Sequence, residues 1–279
     1  MKLTDVDIFF PVLHGTFGED GTMQGLFELA DIAYVGAGVV GSAVGMDKGV
    51  FKDVMLANNI PVVDMMVALR AEIENDITGV IERAERVGDY PLFTKPANLG
   101  SSVGVTKCNN RSDLQEGLME AVSFDRRILI QKGVRNAREI EVSVLGNAEP
   151  VASVCGEVLP SREFYSYESK YLDGTSELQI PAQLPNETSE CIREYAVRAY
   201  KAIDCAGMAR VDFFVEEDTN RIYLNELNTI PGFTKISMYP KLWEASGLSY
   251  AKIVDRLIEL AMERKAERDR TSHTYRSHA

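Results

Sequence analysis

The chain has 279 residues, of which 45% are hydrophobic and 26% charged, and its formal net charge is -12. This length allows two domains with a sizeable buried core, and the composition is that of an ordinary globular enzyme. The negative charge argues against a nucleic acid or an anionic membrane as the main partner, and no apolar run is long enough to cross a bilayer.

The first segment is typical of a short buried strand followed by a glycine-rich loop. Residues 7–13 are largely apolar, and His14 begins the sequence His-Gly-Thr-Phe-Gly-Glu-Asp-Gly. We expect a helix over about 23–30, a second short strand at 33–35 and then a glycine-rich stretch to Gly45. Loops between a strand and a helix N-terminus often bind ligands in α/β proteins, but a simple connecting turn fits these residues equally well.

Cysteine and histidine chemistry has few candidates. The four cysteines are scattered without a CxxC spacing, and the N-terminal sequence is too acidic for a signal peptide. We therefore expect reduced, structural thiols in a cytoplasmic protein. His273 and His278 lie in the polar C-terminal tail, so His14 is the one candidate for histidine catalysis.

The middle of the chain carries two lysines at notable positions. Asp47 is predicted to cap a helix that runs to about Asn58, with Lys48 in its first turn. A cation there opposes the helix dipole unless an anion lies nearby, although an exposed surface lysine is the simpler interpretation. Lys95 ends a predicted strand over residues 91–96.

A glycine-rich turn follows Lys95 and is typical of a hairpin loop that covers phosphates. Gly100 and Gly104 allow close backbone turns, and Ser101 and Ser102 offer hydroxyl groups and amides. The turn does not match the P-loop pattern. Helical spacing predicts a helix over 77–87, and a capping box at Ser112 predicts another to about Val122.

Two strands and a long loop are expected next. Residues 127–132 form one predicted strand, and the change to a charged loop near Lys132 is the best domain boundary. In the following strand Glu139, Glu141 and Ser143 share a face, which is most simply a solvated one. The aromatic stretch 164–174 predicts a long loop, which is either a lid or a surface loop packed by its own tyrosines.

The clearest pattern is a hairpin of two strands, 210–215 and 222–228, with a turn centred on Thr219. Equal distances from the turn place Asp212 opposite Glu226 and Arg210 opposite Asn228, all on one face. Alternation adds three further residues to that face: Phe214, Ile222 and Leu224. The other face is expected to carry five: Val211, Phe213, Val215, Tyr223 and Leu227.

The paired carboxylates of this hairpin need compensation. At a separation near 4 Å and an effective dielectric of about 20 they repel by about 4 kcal/mol. Arg210 could supply the positive charge in a purely structural network. A divalent cation is the alternative, because the oxygens of Asp212, Glu226 and Asn228 are hard ligands of the kind that Mg²⁺ accepts together with substrate phosphates. The residues alone leave both interpretations open.

A last amphipathic helix is predicted around Ile253 to Ala261, and the charged tail from about Lys265 is expected to be disordered. An earlier helix is expected around Ile192 to Ile203. No internal repeat is present.

Taken in order, the motifs resemble those of the D-alanine–D-alanine ligases of the ATP-grasp superfamily, over nearly the whole chain. They are HGxxGEDG, a lysine that opens a helix, KPxxxGSSxGV, AREIEV, a tyrosine-rich loop ending in Lys-Tyr, RxD and ExNxxPG. The resemblance implies an α/β (α+β) chain with the ATP-grasp fold. It also implies that ATP and Mg²⁺ (or Mn²⁺) are used to phosphorylate one D-alanine. The amine of a second D-alanine then attacks the acyl phosphate, and the dipeptide enters peptidoglycan.

The resemblance also implies roles for individual residues. Asp212, Glu226 and Asn228 match the metal ligands, and Arg210 matches the residue that steadies the transferring phosphate. Lys48, Lys95 and Lys170 match the phosphate-binding lysines, while Lys132 and Glu139 match contacts to adenine and ribose. Ser101 and Tyr171 match a hydrogen-bonded pair, and Tyr171 favours an amino-acid acceptor. His14 matches a histidine near the acceptor, and three positions match the surroundings of the acyl centre and the second substrate: Gly232, Ser237 and Met238.

The family's first strand, glycine-rich loop and substrate-binding glutamate have no match here, which predicts a shortened N-terminal domain. The expected division is 1–44 for the rest of that domain, 45–132 and 133–266 for the two ATP-grasp subdomains, and 267–279 for a disordered tail. A catalytically impaired ATP-binding fragment, or a ligase that uses D-serine or D-lactate as acceptor, is the alternative. The resemblance also implies a homodimer.

Overall fold

The computed structural model describes residues 6–100, 103–159 and 177–272. The strands of these residues form three sheets and confirm a mixed α/β architecture. The strands are β1 (Ile8–Phe9), β2 (Ala33–Tyr34), β3 (Met65–Leu69), β4 (Leu92–Pro96), β5 (Thr106–Cys108), β6 (Arg127–Lys132), β7 (Ala137–Gly146), β8 (Val151–Leu159), β9 (Glu177–Gln179), β10 (Gly207–Glu216) and β11 (Ile222–Asn228). The helices are α1 (Thr22–Leu29), α2 (Val39–Met46), α3 (Lys48–Ala57), α4 (Arg70–Asn75), α5 (Ile77–Ala84), α6 (Arg111–Ala121), α7 (Asn186–Ala202), α8 (Met238–Ala245) and α9 (Tyr250–Asp269).

The N-terminal segment forms a parallel pair of strands with two helices. Ile8 of β1 aligns with Ala33 of β2. The glycine-rich stretch before Gly45 contains a helix, α2, that was not predicted. A Cβ atom on Gly41 would lie 3.0 Å from the Asp204 carbonyl oxygen, and one on Gly45 would lie 3.2 Å from Thr229. These glycines therefore allow α2 to pack closely on its neighbours, which composition alone does not distinguish from a loop.

The second sheet has the order β3-β6-β4-β5 and is antiparallel throughout. It confirms the strands predicted at 91–96 and 127–132 and the hairpin around the glycine-rich loop. Helix α6 packs on this sheet through Leu114 and Leu118, which are fully buried. Its cap differs from the prediction, because the side chain of Asn110 accepts hydrogen bonds from the amides of Ser112 and Asp113. The proposed capping box at Ser112 is therefore wrong by two residues.

The third sheet has the order β11-β10-β7-β8-β9 and carries most of the candidate site. Helix α7 covers one face, where Tyr200 and Ile192 pack against Val211 and Phe213. Residues of α8 and α9 form a separate core with Val35, Leu145 and Met208. The chain passes from the second sheet to the third between Lys132 and Ala137. The domain limits at residues 44, 132 and 266 stay predictions.

The hairpin β10–β11 contains an irregularity that was not predicted. Asp212 pairs with Glu226, but Phe213 pairs with Leu224, so Asn225 has no counterpart on β10. This bulge reverses the alternation toward the turn. Leu224 and Ile222 therefore share the face of Phe213 and Val215, and Tyr223 shares the face of Phe214; their predicted faces were wrong. The bulge lets both Leu224 and Leu227 enter the core around α7.

Helix α9 extends beyond the predicted amphipathic stretch, to Asp269. The disorder expected from about Lys265 is therefore wrong for this part of the tail. Arg268 forms ion pairs with Glu28 and Asp31, and Lys265 pairs with Asp31 at 3.0 Å. The charged end of α9 is thus held against the N-terminal segment. Among the described residues, none of the helices combines the length and the apolar character needed to cross a membrane.

Candidate active site

A row of three carboxylates crosses the third sheet. In the strand register Asp212 of β10 lies between Glu226 of β11 and Glu141 of β7. The next row places Arg210 between Asn228 and Ser143. Directly paired residues of neighbouring strands project on the same face, so both rows face one side of the sheet. The predicted pairings of Asp212 with Glu226 and of Arg210 with Asn228 are confirmed.

Arg210 supplies the compensating charge within this row. Its Nε and one terminal nitrogen donate to the two oxygens of Asp212, each at 2.7 Å, and Nε also lies 3.0 Å from Oε2 of Glu141. Burial lowers the pKa of the guanidinium, but the attraction of Asp212, Glu141 and Glu226 outweighs it and holds the pKa well above its ordinary value. Arg210 is therefore a fixed cation with two carboxylate partners.

Glu141 was missed as a member of this site. Its strand alternation was recognised, but an acidic strand face was taken as solvated, whereas Glu141 is buried against Arg210. The decisive information is that β7 pairs with β10 in a register that sets Glu141 beside Asp212. Nothing in the sequence signals that register, because the two strands are about sixty residues apart in the chain.

The oxygen atoms around Asp212 fit a divalent cation of the magnesium type. Asn228 donates its side-chain nitrogen to Oδ2 of Asp212 at 3.0 Å, so its amide oxygen is not used in that contact. The Glu226 side chain is 26% exposed and thus open to a ligand. Two carboxylates and one amide suit Mg²⁺, which takes few protein ligands and completes its shell with water and phosphate. The described residues contain no cluster of three or more His, Cys, Asp or Glu side chains arranged around a metal position.

Lys48 connects the carboxylate row with the glycine-rich loop. Its Nζ lies 3.9 Å from Oε2 of Glu226 and donates to the Leu99 carbonyl at 2.6 Å. The Asp47 side chain accepts hydrogen bonds from the amides of Gly49 and Val50, which confirms the predicted helix cap. Arg127 also pairs with Asp47, at 2.7 Å. The first turn of α3 is therefore fixed, and Lys48 faces the site.

Lys95 approaches from the second sheet. It lies in β4, opposite Leu129 of β6, and its Nζ is 3.5 Å from Oε1 of Gln131. Gln131 is buried. Through electrostatic interactions Lys95 and Lys48 both affect the buried ammonium of Lys52, which places the three lysines near one another.

Lys52 is a second residue that sequence reasoning missed. It follows Lys48 by four residues in α3, and that spacing places both side chains on one face of the helix. This was the signal that could have revealed it. Lys52 is 1% exposed, and burial, followed by the charge of Lys95, lowers its pKa to about 7.

The loop after β1 places His14 and Glu19 beside the third sheet. The Nδ1 atom of His14 lies 3.0 Å from the Ile230 carbonyl oxygen, just beyond β11. Glu19 accepts a hydrogen bond from the Gly15 amide at 2.5 Å. Burial raises the pKa of Glu19, and the nearby charge of Glu226 adds to the shift, while the Gly15 amide and His14 oppose it. Glu19 therefore lies near Glu226 and was missed, although it belongs to the quoted motif.

The segment after β11 turns back on itself before α8. The Ser237 hydroxyl oxygen accepts from the Thr234 amide at 3.1 Å and lies 2.9 Å from Oγ1 of Thr234. A Cβ atom on Gly232 would lie 3.0 Å from the Ser237 hydroxyl oxygen, so glycine allows this close turn. Met238 begins α8, and its side chain is buried against Leu242 and Val158.

The remaining predicted site residues lie at the edges or outside the described ranges. Lys132 ends β6, and its side chain packs over Gly88, while Glu139 lies on β7 opposite Phe214. Ser101, Lys170 and Tyr171 lie outside the described residues.

Two family models match successive segments of this chain. A family model described as "D-ala D-ala ligase C-terminus" matches residues 54–259, and one described as "D-ala D-ala ligase N-terminus" matches residues 1–37. The chain belongs to the D-alanine–D-alanine ligase family. The match includes both the glycine-rich loop and the whole β10–β11 hairpin.

Individual members of the D-alanine–D-alanine ligase family are similar over most of the chain. The D-alanine–D-alanine ligase of Acetivibrio thermocellus is 54% identical over 94% of this chain and 70% of that protein. The one from Solibacter usitatus is 51% identical over 96% of this chain and 80% of that protein.

Solved structures of the family agree with the fold. The D-alanine-D-alanine ligase from Coxiella burnetii has a TM-score of 0.82 and 40% identity, covering 95% of this chain and 70% of that one. The VanG D-Ala:D-Ser ligase from Enterococcus faecalis has a TM-score of 0.82 and 38% identity, covering 92% and 73%. The ATP-grasp fold inferred from the motifs is therefore confirmed.

An open cleft of about 1130 Å³ lies elsewhere, between β2, α2 and α9. Its lining includes Tyr34, over whose ring the Arg264 guanidinium lies at 4.0 Å, and Glu28, which pairs with Arg268. These charged groups already have partners. We therefore place the active site by its chemistry, at the carboxylate row, and not by cavity size.

Proposed function

We propose that this protein joins two molecules of D-alanine into D-alanyl-D-alanine with ATP, as a cytoplasmic enzyme of peptidoglycan synthesis. The observation that carries the proposal is the contact between Lys48 and Glu226, whose charged atoms are 3.9 Å apart. It joins the lysines expected to hold ATP phosphates to the carboxylate row in one site. Membership of the ligase family supports the same reaction.

Binding of the ATP polyphosphate would use the lysines on both sides of the glycine-rich loop. Lys48 and Lys95 lie on α3 and β4, and Lys170 would complete the set. Lys132 would contact adenine and Glu139 the ribose hydroxyls. Positive charges held in place before the reaction stabilise developing negative charge more effectively than water does, because they need little reorganisation.

The metal site of the proposal consists of Asp212, Glu226 and Asn228. A Mg²⁺ or Mn²⁺ ion held there would neutralise charge on the phosphate oxygens as the γ-phosphoryl group is transferred. Asp212 can serve only if it shares its oxygens with Arg210 and Asn228, which contact them in the present structure. Glu226 is the more accessible of the two carboxylates.

The reaction has two steps. An oxygen of the first D-alanine carboxylate attacks the γ-phosphorus of ATP, and ADP leaves. The amine of the second D-alanine then attacks the acyl carbon, loses a proton and expels inorganic phosphate. Arg210 would neutralise the phosphoryl oxygens in the first step and the tetrahedral oxyanion in the second, while its pairing with Asp212 and Glu141 keeps it aimed into the site.

Several residues would position the second substrate. His14 lies beside the end of β11, near the acceptor side of the proposed site. Ser101 and Tyr171 would form a hydrogen-bonded pair over it, and Gly232, Ser237 and Met238 would surround its carboxylate. The Ser237 hydroxyl is already fixed by the turn at Thr234.

A D-serine acceptor is the second candidate, because the VanG D-Ala:D-Ser ligase is among the similar structures. Competition between D-alanine, D-serine and D-lactate for the acceptor position, followed by product analysis, separates the candidates. We further propose a homodimer on the resemblance to the family, and light scattering of the purified protein tests it.

The experiment that tests the proposed metal site replaces Glu226 by Gln. The variant should lose Mg²⁺-dependent release of phosphate from ATP in the presence of D-alanine, because an amide binds the cation much more weakly than a carboxylate. Glu244→Gln, at an exposed position of α8, is the matched control and should keep full activity. Retention of activity in Glu226→Gln would refute the assignment of this ligand.

A further inference from the structure

The amino group of Lys52 is buried without a hydrogen-bond partner. The residue is 1% exposed, and no acceptor for its Nζ lies within reach among residues 6–100, 103–159 and 177–272. Lysine is almost never fully buried unless its charge is paired, because removal of an ammonium from water is costly. The position is therefore unusual on chemical grounds.

Lys52 lies beside the proposed nucleotide site. It lies one helical turn after Lys48 on the same face of α3. Lys95 and Lys48 repel its charge and Glu226 attracts it, and Lys48 itself lies 3.9 Å from Glu226. Burial, the largest effect, and the two lysines together lower the pKa of Lys52 to about 7.

An apolar side chain would suit this position better if only stability mattered. The neighbouring residues of α3, Phe51 and Met55, are buried in the core. Replacing a buried charge by an apolar group of similar size is often neutral or stabilising. A charge that lowers stability but lies beside a ligand site is therefore best explained by the ligand.

The ligand that would compensate this excess of positive charge is a polyanion. Within the proposed function, the polyphosphate of ATP is the anion that enters between Lys48 and Lys95. The Nζ of Lys52 is covered by protein atoms, so it cannot serve as a further direct contact in this conformation. Its charge would act through the protein interior, where screening by water and salt is weak.

We propose that Lys52 is a positioning residue of the nucleotide site. Its buried ammonium strengthens binding of the ATP polyphosphate through the protein interior, without direct contact, while Lys48 and Lys95 contact the phosphates. The inference rests on the proposed function and extends it to a residue with no direct contact. It makes ATP affinity and protein stability respond in opposite directions to loss of the charge. A purely structural lysine would make them fall together.

The test is the variant Lys52→Met in the full chain. The dissociation constant of ATP, measured by calorimetry with Mg²⁺ and without D-alanine, should rise about tenfold, which corresponds to about 1.4 kcal/mol. The KM for D-alanine should change less than about twofold, and the melting temperature should stay the same or rise. Lys201→Met, at an exposed position of α7, is the control and should leave ATP binding unchanged.

Salt provides a second readout. The ratio of the two dissociation constants, variant to wild type, should persist when the salt concentration increases from about 0.1 M to about 0.5 M, because a buried charge is screened much less than an exposed one. A ratio that falls to one in high salt would contradict an action through the interior.

The proposal is overturned if Lys52→Met binds ATP within about twofold of the wild type. It is also overturned if ATP affinity falls together with the melting temperature. Should Lys52→Met not fold, Lys52→Gln is measured in the same way, and failure of both to fold would show that the charge is structural. If the wild type itself binds no ATP, the proposed function fails; if it binds ATP and the variant binds equally well, only the role of Lys52 fails.

Discussion

Removal of the Arg210 guanidinium leaves two carboxylates without their partner. Arg210 holds both oxygens of Asp212 at 2.7 Å and one oxygen of Glu141 at 3.0 Å. The three side chains are 19%, 13% and 11% exposed, so water can replace the lost contacts only in part. We therefore expect Arg210→Met to destabilise the protein strongly.

The size of the effect follows from this burial. Breaking a buried ion pair by removing one partner costs about 3–5 kcal/mol, because the remaining charge is left uncompensated. Arg256 provides an internal comparison, since it also has two carboxylate partners, Glu259 and Glu263, each at 2.9 Å. Its side chain is 42% exposed, and surface pairs of this kind contribute about 1 kcal/mol or less.

Urea unfolding of wild type, Arg210→Met and Arg256→Met, followed by circular dichroism at pH 7, measures the difference directly. The Arg210 variant should lose about 3 kcal/mol more than the Arg256 variant. Mg²⁺ should recover part of that loss in Arg210→Met, because a cation at the carboxylate row replaces some of the missing charge. Equal losses in the two variants would refute the view that Arg210 neutralises a buried acidic row.

Two further perturbations have expected outcomes. Asp47→Ala removes the cap of α3 and the partner of Arg127, and should lower the free energy of unfolding by about 2–4 kcal/mol. The same change should displace Lys48 and thereby raise the KM for ATP. An unchanged KM would show that the position of Lys48 does not depend on this cap. Lys52 has a pKa of about 7 when folded, against an ordinary lysine pKa of 10.5, so the unfolded chain binds more protons between these values and the stability should rise with pH. Between about pH 7 and 8.5 the free energy of unfolding of the wild type should rise with pH more steeply than that of Lys52→Met, by up to roughly 1 kcal/mol per pH unit. Equal pH dependences of the two proteins, measured by urea unfolding, would contradict this expectation.

The parts of the site that could be predicted are those encoded by short-range patterns. The hairpin itself follows from two strand patterns and a turn that are close in the chain. The count from Thr219 gave the right partner for Asp212, although beside the turn Phe213 pairs with Leu224, one residue off that count, and the bulge at Asn225 restores the predicted register from Asp212 onwards. Asp47 preceded a helical pattern, and the cap follows from its side-chain chemistry. The family resemblance then connected these local features with one reaction.

The parts that could not be predicted depend on tertiary pairing. Glu141 reaches Asp212 only through the register of β7 with β10. The bulge at Asn225 carries no glycine, and the three-residue spacing of Leu224 and Leu227, which departs from strict alternation, was not used as its signal, so simple alternation placed Leu224 on the wrong face. Helix α2 was hidden by its glycines, whose purpose is close packing against neighbouring backbone.

Lys52 is a different case, because its signal was present in the sequence. The spacing from Lys48 was sufficient to place both side chains on one face of α3. Burial of the second lysine was not visible, since a lysine in an amphipathic helix is normally assigned to solvent. At the end of α9 the opposite mistake was made, because charged residues were predicted to be disordered. Arg268 and Lys265 are instead held by ion pairs with residues of α1 and of the turn after it.

The most direct test of the proposed ligase activity is phosphate release from ATP by this chain with Mg²⁺, with and without D-alanine, together with analysis of the product. Phosphate release should depend on both D-alanine and Mg²⁺, and one D-alanyl-D-alanine should form for each phosphate released. ATP binding without stimulation by D-alanine would contradict the proposed ligase activity and favour the catalytically impaired alternative.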